Sequence, residues 1–589
     1  MKHLLFACTL LLSTFCQAQI IPQTRMANWS ASGYKGIGDS AAPILDVTTF
    51  GGVGDGITDN TTAIQSTITA ASGNRSVIYF PPGNYLIGST LNLPDSIILK
   101  GSGADSTHLH FNLNGAVGNC INIIGSGSGV PANVTDGLSR GSEYIIVDNI
   151  SLFSSDDYIN MQQDNGSWDT QPVSWATGSV GQINRITIIS GDTLFLEQPL
   201  RINYDLSLNP QVLRIIPAQE VGIECLQISR DDSVHTGLCL NMYYYYAANC
   251  WMRGVESSKS IGSHIEMDLS TNISITGCYV HHNYEYDGTS THGYGITLFA
   301  HTGQCRIENN IMNHLRHSFS LQTGANGNVI AYNYSRDPNR SEVPSNYGAD
   351  ISLHGHFPFA NLFEGNVIQN IGIDQTWGPS GPFNTFLRNN VELYGIVMTS
   401  GTAESDSLNF IGNEIPNTGF LLGNFIISGN DQFSYGNIVR GTLTPSGTGS
   451  LTDSSYYLTS RPSFWSNSTW PSIGVNSAQT GSNPAKDRYV AANGLTVCEE
   501  EIINTISSTT LSNTIIYPNP VQNQFTISTS EKITLISVYT FTGEKCFEQK
   551  LNTTKATLVV PDQLKCGIYF VKIRMESEKM LMEKIVVSR

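Results

Sequence analysis

Arginine and histidine stand side by side at Arg316–His317, and His354 follows on the far side of a long polar loop. A lyase acting on a uronic acid needs these residue types, because a cation neutralises the sugar carboxylate while a base removes the C5 proton. Asp350 closes the polar loop between them. We therefore predict that Arg316, His317, Asp350 and His354 carry the chemistry, with Arg316 or His317 as the base.

Residues suited to holding a sugar surround this group, since aromatic and polar side chains contact the faces and hydroxyl groups of a pyranose. The predicted substrate-binding residues are His292, Tyr294, His356, Trp377 and Arg388. A calcium ion would be a second way to neutralise a uronate, and carboxylate oxygens are its usual ligands. Asp350 and Asp374 are the candidate calcium ligands.

Hydrolysis is the main competing chemistry, because a glycoside hydrolase needs two carboxylates roughly 5–10 Å apart. The carboxylates available for it in this region are Glu285, Asp287, Asp350, Glu364 and Asp374. No Asp–Asp pair stands out on the candidate strands, which favours elimination over hydrolysis. An epimerase and a non-catalytic glycan-binding surface protein are the remaining alternatives.

A short pattern that returns five times organises the elements around these residues. An apolar residue is followed three positions later by an asparagine, which gives the column Asn310, Asn333, Asn366, Asn390 and Asn413. A repeat of this length is typical of a solenoid, and the β-branched and aromatic segments between the asparagines indicate strands. We predict an all-β chain built on a right-handed parallel β-helix. In this register Glu364 and Arg388 occupy one outward column, which predicts a surface ion pair worth roughly 0–1 kcal/mol.

Two long polar excursions interrupt the repeat, at 281–295 and 334–350. Both leave and rejoin the coils at equivalent places, so we expect them to rise on one edge and wall one groove. A third interruption, at about 137–216, contains strand-like runs and a Ser190–Asp192 hairpin turn. It predicts a small β module inserted into the first coils.

Composition excludes several classes of protein. The 589 residues carry a formal charge of −17 with no basic stripe, which argues against a nucleic-acid partner. Residues 1–19 have a Lys-His start, an apolar run and small residues at the end, as in a secretory signal peptide. No later segment is apolar for long enough to span a membrane. A secreted monomer with a polysaccharide substrate is expected.

Eleven cysteines become nine once the signal peptide is removed, and an odd number in a secreted chain leaves at least one free thiol. Cys225, Cys250 and Cys278 are about one coil apart. This spacing predicts a stack of buried thiols inside the solenoid, in preference to disulfides.

The segment 46–103 contains GGVGDGITDNTTAIQ, VIYFPPGNYLI and IILKGSG. Its Asp59–Ala71 part has helical spacing and predicts a short capping helix across the open end of the solenoid. Together these motifs resemble the N-terminal entry segment of the pectate-lyase-like superfamily. The resemblance implies a parallel β-helix over 20–495 and a carbohydrate-active protein of the lyase or polygalacturonase kind. It leaves the chemistry open, because one fold hosts several reactions.

The last residues alternate apolar and polar positions with turns between them, as a small immunoglobulin-like β-sandwich would over 514–589. YPNP at 517–520, GIYFVKI at 567–573 and the ending EKIVVSR resemble the C-terminal sorting domain of the type IX secretion system. The resemblance implies a Bacteroidetes-type bacterium, the type IX machinery as a partner, and export to the cell surface or the medium. Residues 496–513 form the predicted linker.

Overall fold

The computed structural model falls into two compact units, Met1–Glu500 and Glu501–Arg589, which are described separately. The residues that it describes are 19–36, 42–71, 73–233, 237, 239–466, 469–477, 479–498, 515–517, 521–540, 545–561, 564–565, 567–576 and 580–587. The predicted signal peptide and most of the predicted linker lie outside these residues.

The first unit is a parallel β-helix, which confirms the predicted fold class. One coil runs through the strands Arg306–Glu308, Ile311–Asn313 and His317–Leu321 and returns to the first face at Val329–Ala331. Each strand pairs in parallel with its counterpart one coil later, as Ile307 does with Ile330. Because alternate side chains point inward, one apolar column per face fills the core.

The first face is a twelve-stranded sheet. Its strands are Ile44–Asp46, Ser76–Tyr79, Ile97–Lys100, Gly222–Glu224, Trp251–Arg253, Ser274–Thr276, Arg306–Glu308, Val329–Ala331, Leu362–Glu364, Thr385–Leu387, Asn409–Ile411 and Phe433–Tyr435. Stacked rings continue through its core, since Phe386 lies 4.8 Å from Phe363 and 5.3 Å from Phe410 between ring centroids. A short two-stranded sheet, Ala218–Gln219 with Ala247–Ala248, lies beside it.

A 21-stranded sheet folds around one corner and supplies the other two faces. The second face contains Asp55–Asp59, Gly83–Ile87, Thr107–Phe111, Gln227–Arg230, Glu256–Ser260, Tyr279–Asn283, Ile311–Asn313, Tyr334–Arg336, Glu414–Ile415, Asn437–Val439 and Thr442–Thr444. The third face contains Leu91–Asn92, Ile121–Ile124, Met242–Tyr245, Ile265–Asp268, Tyr294–Leu298, His317–Leu321, Ile351–Leu353 and Asn424–Ile426. Two long strands, Val367–Ile373 and Asn390–Met398, pass through both faces.

A buried asparagine ladder joins the coils between the first and second faces. Each amide Nδ2 donates to the Oδ1 of the next asparagine, at 2.9–3.0 Å, from Asn310 to Asn437. The ladder passes through Asn389, so the predicted member Asn390 is wrong by one residue. Phe386, not Leu387, pairs with Phe363, because the two adjacent asparagines make either register fit the sequence pattern.

An eleven-residue helix, Thr61–Ala71, covers the start of the solenoid, as predicted. Asp59 accepts from the backbone N–H of Thr61 at 2.9 Å, and Ile64 and Ile68 are buried in the core. The second α-helix, Pro484–Val490, is capped by Asn483. Short 3₁₀ turns lie at Gln23–Arg25, Trp29–Ala31, Val47–Phe50, Ile150–Leu152, Ser174–Ala176, Leu206–Leu208 and Ser345–Tyr347. No helix among the described residues is long and apolar enough to cross a membrane.

The inserted module is a closed six-stranded barrel. Its strands are Ser126–Asp136, Tyr144–Val147, Tyr158–Gln163, Val180–Ser190, Thr193–Leu196 and Gln211–Ile216. The predicted start near 137 is therefore too late. The first strand, SGSGVPANVTD, carries glycines and a proline and is mostly exposed, so it lacks the apolar alternation that marks a strand.

The described residues of the second unit form five antiparallel strands, Ile515–Tyr517, Gln524–Thr540, Lys545–Val559, Gly567–Met575 and Met580–Val587. Its core includes Phe525, Ile536, Val571 and Ile585. The strands share one hydrogen-bonded sheet, and the immunoglobulin-like pair of sheets stays a prediction.

The predicted thiol stack exists, with one change of membership. Cys250, Cys278 and Cys305 lie in the core, and each thiol donates to the carbonyl oxygen two residues before it. Cys225 is not part of this stack, because it lies in a turn with φ 55° and its thiol points toward Cys498.

Candidate active site

The groove that the two long loops were predicted to wall lies on the outside of the third face. Its floor is a column of small residues on paired strands, Thr297, Ser320, Ser352 and Gly372. The loops 284–293 and 337–350 rise along the edge shared with the second face. The inserted barrel rises along the other edge, where Gln171 meets His356.

A cavity of about 230 Å³ opens in this groove. It is lined by Arg316, His317, Arg340, Tyr347, Gly348, Ala349, Ser352, His354, Asn370, Ile371, Gly372, Asp374, Tyr394, Gly395, Val397 and Thr399. Three of the four predicted catalytic residues therefore line one cavity, together with a second arginine, two tyrosines and one carboxylate.

His317 is held in a single tautomer. Its Nδ1 lies 2.8 Å from the carbonyl oxygen of Ala349, and a carbonyl can only accept, so Nδ1 carries the proton and Nε2 keeps its lone pair. Burial lowers the pKa of His317 to about 3, and the charges of His354 and Arg316 add to the shift. The imidazole is therefore neutral at physiological pH, and Nε2 is able to accept a proton.

Arg316 places its cation beside this histidine. Its guanidinium carbon lies 5.4 Å from the centroid of the Tyr294 ring, and the buried Nη1 makes no hydrogen bond to any described residue. A guanidinium N–H without a partner is suited to a carboxylate ligand. Tyr294 is only 2% exposed, so it supports Arg316 and His317 from below. The direct sugar contact predicted for Tyr294 does not fit that burial.

His354 completes the far side of the cavity. Its ring centroid lies 5.8 Å from that of His317, and its Nδ1 lies 3.0 Å from Oδ2 of Asp374. Burial acts to raise the pKa of Asp374, but the hydrogen bond and charge of His354, with Thr376, outweigh it and hold that pKa below its usual range. Asp374 is thus ionised and fixes the orientation of His354.

Asp350 does not reach the cavity, although it was predicted to be catalytic. Its Oδ2 accepts from the backbone N–H groups of Gln369 and Asn370, both at 2.8 Å, and its Oδ1 accepts from the hydroxyl of Ser335. Burial raises its pKa to about 6. Asp350 stands just before the strand Ile351–Leu353, and these hydrogen bonds hold its carboxylate inside the corner, away from the cavity.

The predicted calcium pair does not fit this geometry. Both oxygens of Asp350 serve the internal network, and both oxygens of Asp374 accept from neighbouring groups of the protein. Within the described part of the chain, one grouping has the ligand spacing for a metal ion: Glu285, Asp287 and His292, whose ligand atoms lie within 4.8 Å of one another. His292 thus belongs to the loop at the groove edge.

Exposed aromatic rings line the barrel side of the groove. Trp377, a predicted sugar contact, is 38% exposed, and its ring lies 6.1 Å from that of Trp175, which is 45% exposed. His356, also a predicted contact, is fully buried beneath Trp175 at 4.8 Å between centroids. The pair of tryptophans therefore offers the stacking surface, and His356 supports it.

Arg388 lies far from the groove, so its predicted role in sugar binding is wrong. It is 2% exposed and donates to the carbonyl oxygens of Asp453, Ile473 and Val475. Glu364 is also buried, where it accepts from the Tyr332 hydroxyl and the Tyr456 N–H. The predicted surface pair depended on the asparagine register that the structure shifts by one residue.

Two acidic residues on the third face were missed. Glu266 and Asp268 point outward from Ile265–Asp268, while Ile265 and Met267 fill the core. Burial raises their pKa values to about 8 and about 7 respectively, and the charge of Asp268 adds to the shift of Glu266. The alternation of apolar and acidic residues in IEMD, Ile265–Asp268, could have predicted that both acidic side chains point outward from a strand.

Two tyrosines cover this acidic pair. Tyr243 and Tyr245 lie one coil earlier, in register with Glu266 and Asp268. Their rings stack at 5.8 Å. Asp268 Oδ1 is buried without a hydrogen-bond partner among the described residues.

Comparison with known families agrees with the fold. Residues 44–188 match the family model described as rhamnogalacturonase A/epimerase, pectate lyase-like. The N-terminal part of the β-helix is therefore similar in sequence to this pectate-lyase-like family. Residues 515–588 match the secretion system C-terminal sorting domain. The second unit is thus a sorting domain that directs the chain to type IX export, to the cell surface or the medium.

Individual proteins are more distant. A pre-neck appendage protein of Bacillus phage B103 is 24% identical over 388 residues, which is 62% of this chain and 42% of that protein. A probable glucan endo-1,3-β-glucosidase of Arthroderma benhamiae is 42% identical over 62 residues, 10% of this chain and 7% of that protein. The chain thus spans less than half the length of these curated relatives.

Solved structures are similar to this chain only at low TM-scores. The tailspike protein gp49 of Pseudomonas phage LKA1 has a TM-score of 0.44 at 13% identity and covers 67% of this chain and 77% of its own. An exopolygalacturonase of Thermotoga maritima has a TM-score of 0.36 at 11% identity and covers 65% and 82% respectively.

Proposed function

We propose that this exported protein is a polysaccharide lyase that cleaves a uronic-acid-containing glycan by β-elimination, with His317 as the base. The carrying observation is the pairing in one cavity of a neutral histidine with a free Nε2 and an arginine whose Nη1 has no described partner. The family model matched by residues 44–188 supports a carbohydrate substrate.

The residues divide the reaction between them. Arg316, with Arg340 at the same cavity, would bind the uronate carboxylate and stabilise the charge that develops when C5 loses its proton. His317 Nε2 would take that proton, the C4–C5 double bond would form, and the bond from C4 to the glycosidic oxygen would break. The leaving oxygen then needs a proton, which Tyr347 or solvent at the open side of the cavity can supply.

Binding of the substrate carboxylate would also change the pKa of the base, His317. A pKa of about 3 makes His317 a weak proton acceptor in the free protein. Part of that shift comes from the positive charges of His354 and Arg316. A uronate placed between them offsets those charges, so substrate binding would raise the pKa of His317 toward the working pH.

The cavity composition argues against hydrolysis at the same place. Only one carboxylate, Asp374, is among the lining residues, and it is paired with His354. A glycoside hydrolase needs a second carboxylate across the scissile bond, and Asp350 is turned into the corner network.

Product analysis tests the proposal. The purified protein is incubated with algal and plant cell-wall uronans, and products are followed by ultraviolet absorbance and by reducing-end release. Elimination gives an unsaturated uronate that absorbs in the ultraviolet, whereas hydrolysis adds reducing ends alone. Polysaccharide that is retained without being shortened would indicate a glycan-binding surface protein and overturn the proposal.

A glycoside hydrolase is the second candidate, and one observation favours it. Glu266 and Asp268 share the outward side of one strand, and their raised pKa values allow one to stay protonated as an acid near neutral pH. Glu266 lies two coils from Ser320 on the same face, about 10 Å at the usual strand spacing, and His317 is three residues further along that strand. Loss of activity in Glu266→Gln with full activity in His317→Asn would favour this candidate.

A further inference from the structure

Two cysteines separated by 273 residues meet at the corner of the β-helix. Cys225 follows the strand Gly222–Glu224, and its Sγ lies 3.6 Å from the carbonyl oxygen of Cys498. The thiol of Cys498 lies 3.7 Å from the carbonyl oxygen of Gly254, on the next coil. The two thiols influence each other, because the neighbouring side chain raises the pKa of Cys225 and lowers the pKa of Cys498.

The residues before Cys498 form a strap that runs along the turns of successive coils. Asn483 donates to the carbonyl oxygens of Asn333 and Gly365, and Arg488 donates to Asn309. The backbone N–H of Val497 then donates to the carbonyl oxygen of Gly277 at 2.8 Å. The next residue, Cys498, contacts Gly254, which lies one coil nearer the N-terminal end of the β-helix. The strap thus descends the stack coil by coil and ends at Cys225.

The strap is held weakly where it ends. From Asn493 to Leu495 it is mostly exposed, and beyond that it is joined to the coils by the Val497 hydrogen bond and the weak thiol contacts of Cys498. Cys498 lies just before Glu500, where the first compact unit ends. A covalent bond at this position would fix the end of the β-helix unit next to the chain that leads to the sorting domain.

We propose that Cys225 and Cys498 form a disulfide in the exported protein, which pins the C-terminal strap to the β-helix. The two thiols lose two protons and two electrons as the S–S bond forms. The electrons pass to the disulfide of a thiol–disulfide oxidoreductase in the exporting compartment, which becomes a dithiol.

The surroundings support this exchange. The neighbouring Cys225 side chain lowers the pKa of the Cys498 thiol, which favours its thiolate as the attacking group. Cys250, Cys278 and Cys305 have the opposite environment, because burial raises their pKa values to about 12 and keeps them as thiols. Closing a loop of this length removes much freedom from the unfolded chain, so the crosslink is stabilising.

Peptide mapping of the full chain after export tests the proposal. The protein is alkylated without reductant, digested, and examined by mass spectrometry. The expected result is one crosslinked peptide pair joining Cys225 and Cys498, two hydrogen masses lighter than the separate peptides, which disappears after reduction. Alkylation of both cysteines in the unreduced exported protein would overturn the proposal.

Variants separate the crosslink from mere packing. Cys225→Ser, Cys498→Ser and the double variant should lower Tm by the same amount and expose the strap to protease, because each removes the same bond. Cys239→Ser is the matched control and should keep the crosslinked peptide. If the serine variants fail to fold, mild reduction of the native protein replaces them. An unchanged Tm and unchanged protease resistance on reduction would contradict a stabilising crosslink.

Discussion

His317 Nδ1 lies 2.8 Å from the carbonyl oxygen of Ala349, and this one contact decides which nitrogen of the imidazole faces the groove. Ala349 closes the loop that ends at Asp350, so the long excursion on the groove edge sets the tautomer of a residue on the neighbouring coil. The same loop supplies Arg340 and Tyr347 to the cavity. The loop 337–350 and the proposed base His317 are therefore structurally coupled.

Replacement of His317 by asparagine tests its assignment as the general base. The asparagine Nδ2–H can still donate to Ala349, but the proton-accepting Nε2 is lost. We expect kcat for elimination to fall by about 10²–10⁴, the usual contribution of a general base, with little change in Tm. His314→Ala is the control, since His314 pairs with Asp337 and does not line the cavity. Full activity of His317→Asn would refute the assignment.

Arg316→Gln tests neutralisation of the carboxylate. We expect kcat/KM on a uronan to fall by about 10–100-fold, the range for losing a hydrogen bond to a charged group. The loss should shrink on a methyl-esterified substrate, because an ester carries no charge for the guanidinium to neutralise. Equal losses on both substrates, measured by initial rates, would assign Arg316 to support of Tyr294 instead.

The asparagine ladder gives a stability test with a neighbouring control. Asn389→Ala leaves Phe363 O and the Asn366 amide without partners inside the protein. Each unsatisfied buried group costs about 1–3 kcal/mol, so the free energy of unfolding should fall by at least about 3 kcal/mol. Asn390→Ala removes one hydrogen bond, to Gly481, and should cost about 1 kcal/mol. Denaturant unfolding of both variants decides the register, and equal losses would contradict the ladder.

Glu266→Gln should change how stability depends on pH. The pKa of Glu266 is raised by burial from 4.5 to about 8, so its protonated form contributes stability below about pH 4.5 that is lost as pH rises through 8. Glutamine imitates the protonated form at every pH. The variant should therefore match the wild type near pH 4 and have the higher Tm near pH 9. A constant difference in Tm across this range would show that Glu266 has an ordinary pKa.

Chelation tests the calcium prediction directly. The carboxylate oxygens of Asp350 and Asp374 already accept hydrogen bonds from other groups of the protein. We therefore expect a chelator to leave the rate of elimination unchanged. Loss of activity that calcium restores would contradict this, and Asp287→Asn would then test the Glu285, Asp287 and His292 grouping. Asp287 is a suitable probe because it lies on the loop outside the cavity lining.

The sequence by itself determined the solenoid, its capping helix and the exported C-terminal domain. Stacking of coil on coil buries the apolar residues at alternate positions and lets the asparagine of each coil hydrogen-bond to the next. The pair Arg316–His317 was also within reach, since adjacent residues at a strand entry stay adjacent in any register. Which side each residue faces was not within reach, because Ser318 and Phe319 both point inward and strict alternation fails at the strand entry.

Tertiary structure alone decided which residues share the groove. Asp350 and His354 stand on either side of the strand Ile351–Leu353, and alternation along a strand would place residues four apart on the same side. The structure instead turns Asp350 into the corner and leaves His354 in the cavity, because the backbone bends just before Ile351. Arg388 was misplaced because a slip of one residue at the Asn389–Asn390 pair moves a side chain to another environment. Trp175, and the contact of Cys225 with Cys498, depend on segments distant in the chain. No local sequence pattern predicts these contacts, because they form only when the barrel and the strap pack against the folded coils of the β-helix.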